Sequence, residues 1–174
     1  MESDRVISTI PVNHIEEICG LKSNSLASIT LLSLFFSFAG KRGFTPSILY
    51  NFSHEGAWKR LTMYSDFYGL ANGREYFTAE VIGNHVNFSA EMAELDFRNH
   101  VRMNHLFDGE LRLEGSMVLE NAYPIYSKGS GERAARAIRA IEAFGIESFG
   151  RQGGFNYQPT ARVSTIDAES ALKR

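Results

Sequence analysis

Trp58-Lys59-Arg60-Leu61-Thr62-Met63-Tyr64-Ser65-Asp66-Phe67 alternates between two faces. Leu61, Met63 and Phe67 fall on one side, and Trp58, Arg60, Thr62 and Tyr64 on the other, which is the period of a strand. An apolar face backed by an aromatic-plus-arginine face suits a strand that lines a polar ligand cleft. A merely solvated face fits the same spacing. Residues 75–82 repeat the strand signal after a turn at Asn72-Gly73, so the two segments predict a hairpin. Upstream, residues 23–40 carry no charge, and residues 26–39 are mostly apolar but interrupted by Ser28, Thr30, Ser33 and Ser37. That pattern predicts one or two strands buried on both faces, with a membrane anchor as the competing reading.

Further out, Val6-Ile7-Ser8-Thr9-Ile10 reads as a strand halted by Pro11. A short helix over residues 14–21 follows. Ser89 caps a predicted helix reaching about Phe107, with Met92, Leu95, Phe97 or Val101, and Leu106 as its apolar stripe and Asp108-Gly109 as its stop. Residues 117–119 read as a short strand. Residues 131–144 form a second clear helix, with Ala134, Ala137 or Ile138, Ile141 and Phe144 at helical spacing and Gly145 ending it. A last helix is expected from Thr165, with Ser164 and Asp167 as its capping box. No repeat or linker interrupts the chain. The expectation is one α+β domain over residues 1–174, with an antiparallel or mixed sheet and three to four helices.

Composition narrows the function. The 174 residues are 44% hydrophobic and carry a net charge of -2, with neither sign in a long run. This excludes a disordered acidic tail and argues against a nucleic-acid binder that needs a broad basic stripe. The single cysteine, Cys19, excludes a disulfide scaffold and a cysteine zinc site, and points to a reducing, cytoplasmic setting.

Motif chemistry is mostly negative. His14, His54, His85, His100 and His105 show no metal-ligand spacing, and no His-Glu-x-x-His or Gly-x-Ser-x-Gly occurs. Gly129-Ser130-Gly131-Glu132-Arg133-Ala134 matches a relaxed dinucleotide fingerprint, but no buried parallel strand precedes it. The turn Gly150-Arg151-Gln152-Gly153-Gly154 is more informative. Its glycines permit close backbone approach, Arg151 offers a guanidinium fork, and a helix N-terminus follows, which suits a phosphate or an electron-rich cofactor edge. Phe155 and Tyr157 would add an aromatic wall. A plain surface loop fits the turn equally well.

Residues 150–157, with Ile166-Asp167-Ala168-Glu169-Ser170-Ala171-Leu172 after them, resemble the closing segment of the FAD-dependent amine oxidase, protoporphyrinogen oxidase and UDP-galactopyranose mutase-like flavoprotein superfamily. Three further segments agree in order. Asp4-Arg5-Val6-Ile7-Ser8-Thr9-Ile10-Pro11 resembles the strand joining that family's FAD and substrate domains. Trp58-Lys59-Arg60-Leu61 resembles a strand whose arginine faces substrate, and Asn121-Ala122-Tyr123-Pro124-Ile125-Tyr126 resembles its Ala-Tyr-Pro-x-Tyr segment. The match spans the chain but only the second half of a family member.

The resemblance implies that Gly150, Arg151, Gln152, Gly153, Phe155, Ser164 and Thr165 contact FAD. It implies that Arg60, Tyr64, Tyr123, Tyr126 and Tyr157 line the substrate side. Two departures stand out: the Gly-x-Gly-x-x-Gly unit that holds the FAD pyrophosphate is absent, and residues 158–163 replace a shorter stretch. Met1 lies just before the inter-domain strand, so the expected protein is a split oxidoreductase that shares FAD with a Rossmann-type partner chain and acts on a small molecule. A non-enzymatic ligand-binding or interaction module that kept the fold without the cofactor is the alternative. An orphaned half should also expose an apolar patch where its partner sits.

Overall fold

The computed structural model describes residues 4–173. Its elements in chain order are β1 (Val6–Ser8), α1 (Val12–Ile18), β2 (Ser28–Arg42), β3 (Ile48–Tyr50), β4 (Trp58–Met63), α2 (Ser65–Tyr68), β5 (Glu75–Ile82), α3 (Ala90–Met103), β6 (Phe107–Pro124), α4 (Ser130–Ala143), β7 (Ile146–Ser148), α5 (Gly150–Gly153) and α6 (Ala161–Leu172). The class is α+β, as the alternating patterns predict. Six helices form among the described residues because two single turns, α2 and α5, add to the longer ones. The chain folds as two compact units.

One unit spans residues 29–122 and holds a five-stranded sheet in the order β3-β4-β5-β2-β6. The predicted hairpin is present: β4 and β5 pair antiparallel, and β5 pairs antiparallel with β2. The apolar run is a single strand with both faces mostly buried. Ser37 within it is satisfied: its hydroxyl donates to Glu114 at 2.5 Å and accepts from Arg74 Nε at 2.9 Å. Helix α3 closes the apolar face. Phe36 stacks on Phe77 and Phe97, at 5.3 and 5.1 Å between centroids, and Leu32, Leu61, Met63 and Val81 fill around them. Each such side chain contributes about 1.5–3 kcal/mol by leaving water.

Two backbones in this sheet meet too closely for any side chain. A Cβ at Gly40 in β2 would lie 2.2 Å from the Asp108 carbonyl oxygen, and one at Gly109 in β6 would lie 2.3 Å from that of Ala39. Both glycines have φ values that L residues rarely adopt, +151° and +143°.

Three sequence expectations in this unit fail for local reasons. Helix α3 buries Ala93, Phe97, His100 and Val101, so the expected Phe97 and Val101 face inward, while Met92 and Leu95 of the expected stripe are exposed. The helix ends at Met103, short of Asp108-Gly109. Those two residues lie within β6, which runs 18 residues where only residues 117–119 were expected.

The other unit joins the chain up to Ser28 with the chain from Tyr123 onward. Here α1 and α4 pack through Val12, Ile15, Ala134, Ala137 and Ile141, with Leu26 and Phe155 in the same core. Strands β1 and β7 form a parallel two-stranded sheet with Val6 opposite Ile146 and Ser8 opposite Ser148. Arg5 forks onto both carboxylate oxygens of Glu147, at 2.7 and 2.6 Å, beside that pairing.

Candidate functional site

In the second unit the residues around Tyr123, Tyr126 and the glycine turn converge. The Arg151 guanidinium lies 4.6 Å from the Tyr123 ring centroid, a cation–π contact. Tyr126 meets Phe155 edge-on at 5.4 Å and Tyr157 at 6.0 Å and 90°. Phe155 is anchored in the core, whereas Tyr157 is 70% exposed. Burial raises the Tyr126 phenol above its ordinary value; the nearby Arg151 charge opposes that, and Tyr157 adds to it weakly. The phenol is therefore neutral and able to donate a hydrogen bond well into the alkaline range.

The glycines of the turn play different parts. Gly153 lets the chain approach itself: a Cβ there would meet the Ser8 carbonyl oxygen at 2.9 Å and Ser148 Oγ at 3.0 Å. Ser148 Oγ also donates to the Gly153 carbonyl at 2.9 Å, which ties α5 to β7. Gly150 has a φ of +91° and open space where its Cβ would be, so it is the turn's accessible backbone. A cavity of about 280 Å³ adjoins it, lined in part by Phe149, Asn156, Gln158 and Ser170.

The last helix starts a turn earlier than expected. Thr160 caps α6, accepting from the Val163 N–H, so the Ser164/Asp167 capping box does not form. Ser164 Oγ donates to Gln158 Oε1 at 3.0 Å, and Thr165 Oγ1 donates to the Ala161 carbonyl at 3.0 Å. Asp167 accepts from Gln158 Nε2 at 2.8 Å. Gln158 and Thr160 thus organise this terminus. Thr160 after Pro159 was the available signal, and the Ser164/Asp167 spacing masked it.

The remaining expected substrate residues lie in the sheet unit. The face that alternation assigned to Trp58, Arg60 and Tyr64 is broken. A bulge between Trp58 and Arg60 turns the indole into the core. Arg60 pairs with Glu80 of the neighbouring strand, and Tyr64 stands on the turn opening α2. Arg151, Tyr123, Tyr126, Phe155 and Tyr157 therefore gather in one unit, and Arg60 and Tyr64 in the other.

A second arrangement has the outline of nucleophile chemistry but lacks its proton logic. Ser53 Oγ lies 3.5 Å from His100 Nε2. The Trp58 indole N–H donates to His100 Nδ1 at 2.9 Å, so the neutral ring carries its proton on Nε2 and cannot take one from Ser53. Among the described residues no group of His, Cys, Asp or Glu could hold a metal, and no helix is long and apolar enough to cross a membrane.

No family model matches the chain, and no curated protein matches it in sequence. Its fold is nonetheless shared with segments of solved structures. A reduced UDP-galactopyranose mutase superposes on 99% of this chain with a TM-score of 0.74 at 17% identity. A protein assigned as a protoporphyrinogen oxidase from Exiguobacterium sp. 255-15 superposes on 99% with a TM-score of 0.62 at 14% identity. The chain spans 42% of the length of each.

Proposed function

We propose that this chain is the substrate-side, flavin-closing part of an FAD-dependent oxidoreductase, completed by a Rossmann-type partner chain that holds most of the cofactor. The observation that carries this is the sheet of β1 and β7. Parallel strands are stable when covered on both faces and extended beyond two members, yet this sheet has two strands of three residues. Each strand has one unpaired edge, Val6 and Ile7 are 46% and 38% exposed, and the buried Ser8 hydroxyl has no partner. A partner chain docked here would pair a free edge and cover the exposed side chains.

The residues of the site fit a flavin. Arg151 Nε is buried without a hydrogen-bond partner, so the guanidinium has a donor to give. Bound flavin would supply the electron-accepting chemistry. Arg151, held in orientation by the Tyr123 ring, would stabilise negative charge on the reduced ring. Tyr126, Tyr157 and Phe155 would form an aromatic wall that excludes water and docks a small-molecule substrate. Arg60 is already neutralised by Glu80, which speaks against a module that binds an anion through Arg60 alone.

The test is co-expression with candidate chains carrying the Gly-x-Gly-x-x-Gly fingerprint. A yellow, flavin-loaded heterodimer is the expected result. A chain that stays colourless and monomeric beside every such partner overturns the proposal.

A further inference from the structure

A cavity on the opposite chemistry from the aromatic site lies between the loop after α1 and the side of α4. It measures about 720 Å³, within the range of about 300–1,000 Å³ typical of small-molecule sites. Lys22, Arg133 and Arg136 bring three positive charges to its lining, with Ser23, Asn24 and Ser25 supplying neutral polar groups. None of the three cations forms an ion pair with a described carboxylate, in a protein whose net charge is -2. Cations gathered on one wall in this way raise the local potential for an anion.

The lining is also built in advance. Glu16, only 1% exposed, is committed to the loop: its Oε1 accepts from Asn24 Nδ2 at 2.5 Å and its Oε2 from the Asn24 backbone N–H at 3.4 Å. Ser25 holds a positive φ of 54° beside it, with its N–H donating to Ser23 Oγ. Arg133 is fixed by donating from Nη2 to Ser127 Oγ at 2.9 Å, while its buried Nε has no partner. Arg136 follows three residues later on the same helix side.

We propose that this cavity binds a small phosphorylated molecule. Two planar guanidinium forks and an ammonium match the several oxygens and multiple charge of a phosphate or pyrophosphate group, and a single carboxylate would leave two cations unsatisfied. Leu21 and Ala140 provide an apolar part of the wall for the organic remainder. The site is independent of the flavin reading.

The experiment is titration of the full chain with inorganic pyrophosphate, followed by calorimetry and by amide chemical shifts. Saturable one-to-one binding is expected, with shifts centred on residues 21–25 and 133–140. Arg136→Glu and, separately, Lys22→Glu should each weaken it about tenfold or more. Arg98→Glu, in the cavity beside α3, should leave it unchanged. Lys22 is exposed on a loop, so its variant decides the matter if Arg136→Glu does not fold. Absence of saturation, or equal loss in the Arg98→Glu variant, overturns the proposal.

Discussion

The indole N–H of Trp58 donates to Nδ1 of His100 across 2.9 Å; both side chains are buried, and the indole packs edge-on against Phe97. The bulge that brings Trp58 inward thus fixes the histidine tautomer and joins β4 to α3. Trp58→Phe keeps most of the apolar volume but leaves Nδ1 buried without a donor. Denaturant unfolding should show a loss of about 1–3 kcal/mol. An unchanged midpoint would remove this bond from the account of the core.

Arg42 bridges three elements of the same unit, donating to both oxygens of Asp66 at 3.0 and 2.9 Å and lying 3.2 Å from Glu75. Its hydrogen bonds hold the Asp66 carboxyl below its ordinary value. The stabilisation is therefore present above about pH 4, where the unfolded carboxyl is ionised, and is lost as pH falls through the depressed folded value. Asp66→Asn should lower stability near neutrality by up to about 1 kcal/mol. The gap to the parent should close on acidification. A constant gap from neutral to acid pH would contradict the linkage.

Tyr126 titrates late because burial disfavours its phenolate. The unfolded chain releases that proton first, so folded stability falls as pH rises past about 10. Ultraviolet titration should show Tyr126→Phe removing a phenol from the late part of the curve, with alkaline unfolding made less steep. A phenol lost instead from the early part would place Tyr126 in water.

Gly153→Ala forces a methyl against the Ser8 carbonyl and Ser148 Oγ, and backbone there cannot yield cheaply. A loss of about 1–3 kcal/mol is expected from thermal unfolding. Gly131→Ala is the contrast: it sits in α4 with nothing within 4 Å of the new Cβ, and should gain up to about 1 kcal/mol.

Ile7→Lys on β1 changes an exposed position, so the isolated chain should keep its stability within about 0.5 kcal/mol. Under the proposed assembly it buries a charge at the joint, and co-purification with the Rossmann partner should fail. Arg151→Met, by contrast, should leave the heterodimer intact but reduce its flavin content. An Ile7→Lys chain that still assembles normally would move the joint elsewhere.

Much of the sheet and helix α4 could be read from periodicity, because their apolar positions repeat cleanly. Trp58 could not be placed that way: one inserted residue flips a side chain to the other face without changing the alternation on either side. Strand β6 was hidden because Asp108-Gly109 looks like a stop, while its real role is close passage beside β2. Helix α3 carries two apolar stripes, and only packing selects Phe97 over Met92. The convergence of Arg151 with Tyr123 and Tyr126 follows from tertiary folding, since about 25 residues separate them, and no local spacing reports it.

The meeting of Gly40 and Gly109 constrains how this sequence can drift. Neither position accepts even one methyl while the opposing chain stays where it is, so each glycine protects the other from replacement. The superposed structures share this fold at only 17% and 14% identity, so the fold does not depend on most of the individual residues. Two glycines, one closing a long uncharged run and one about seventy residues later, should outlast the apolar pattern around them in any sequence that keeps this sheet.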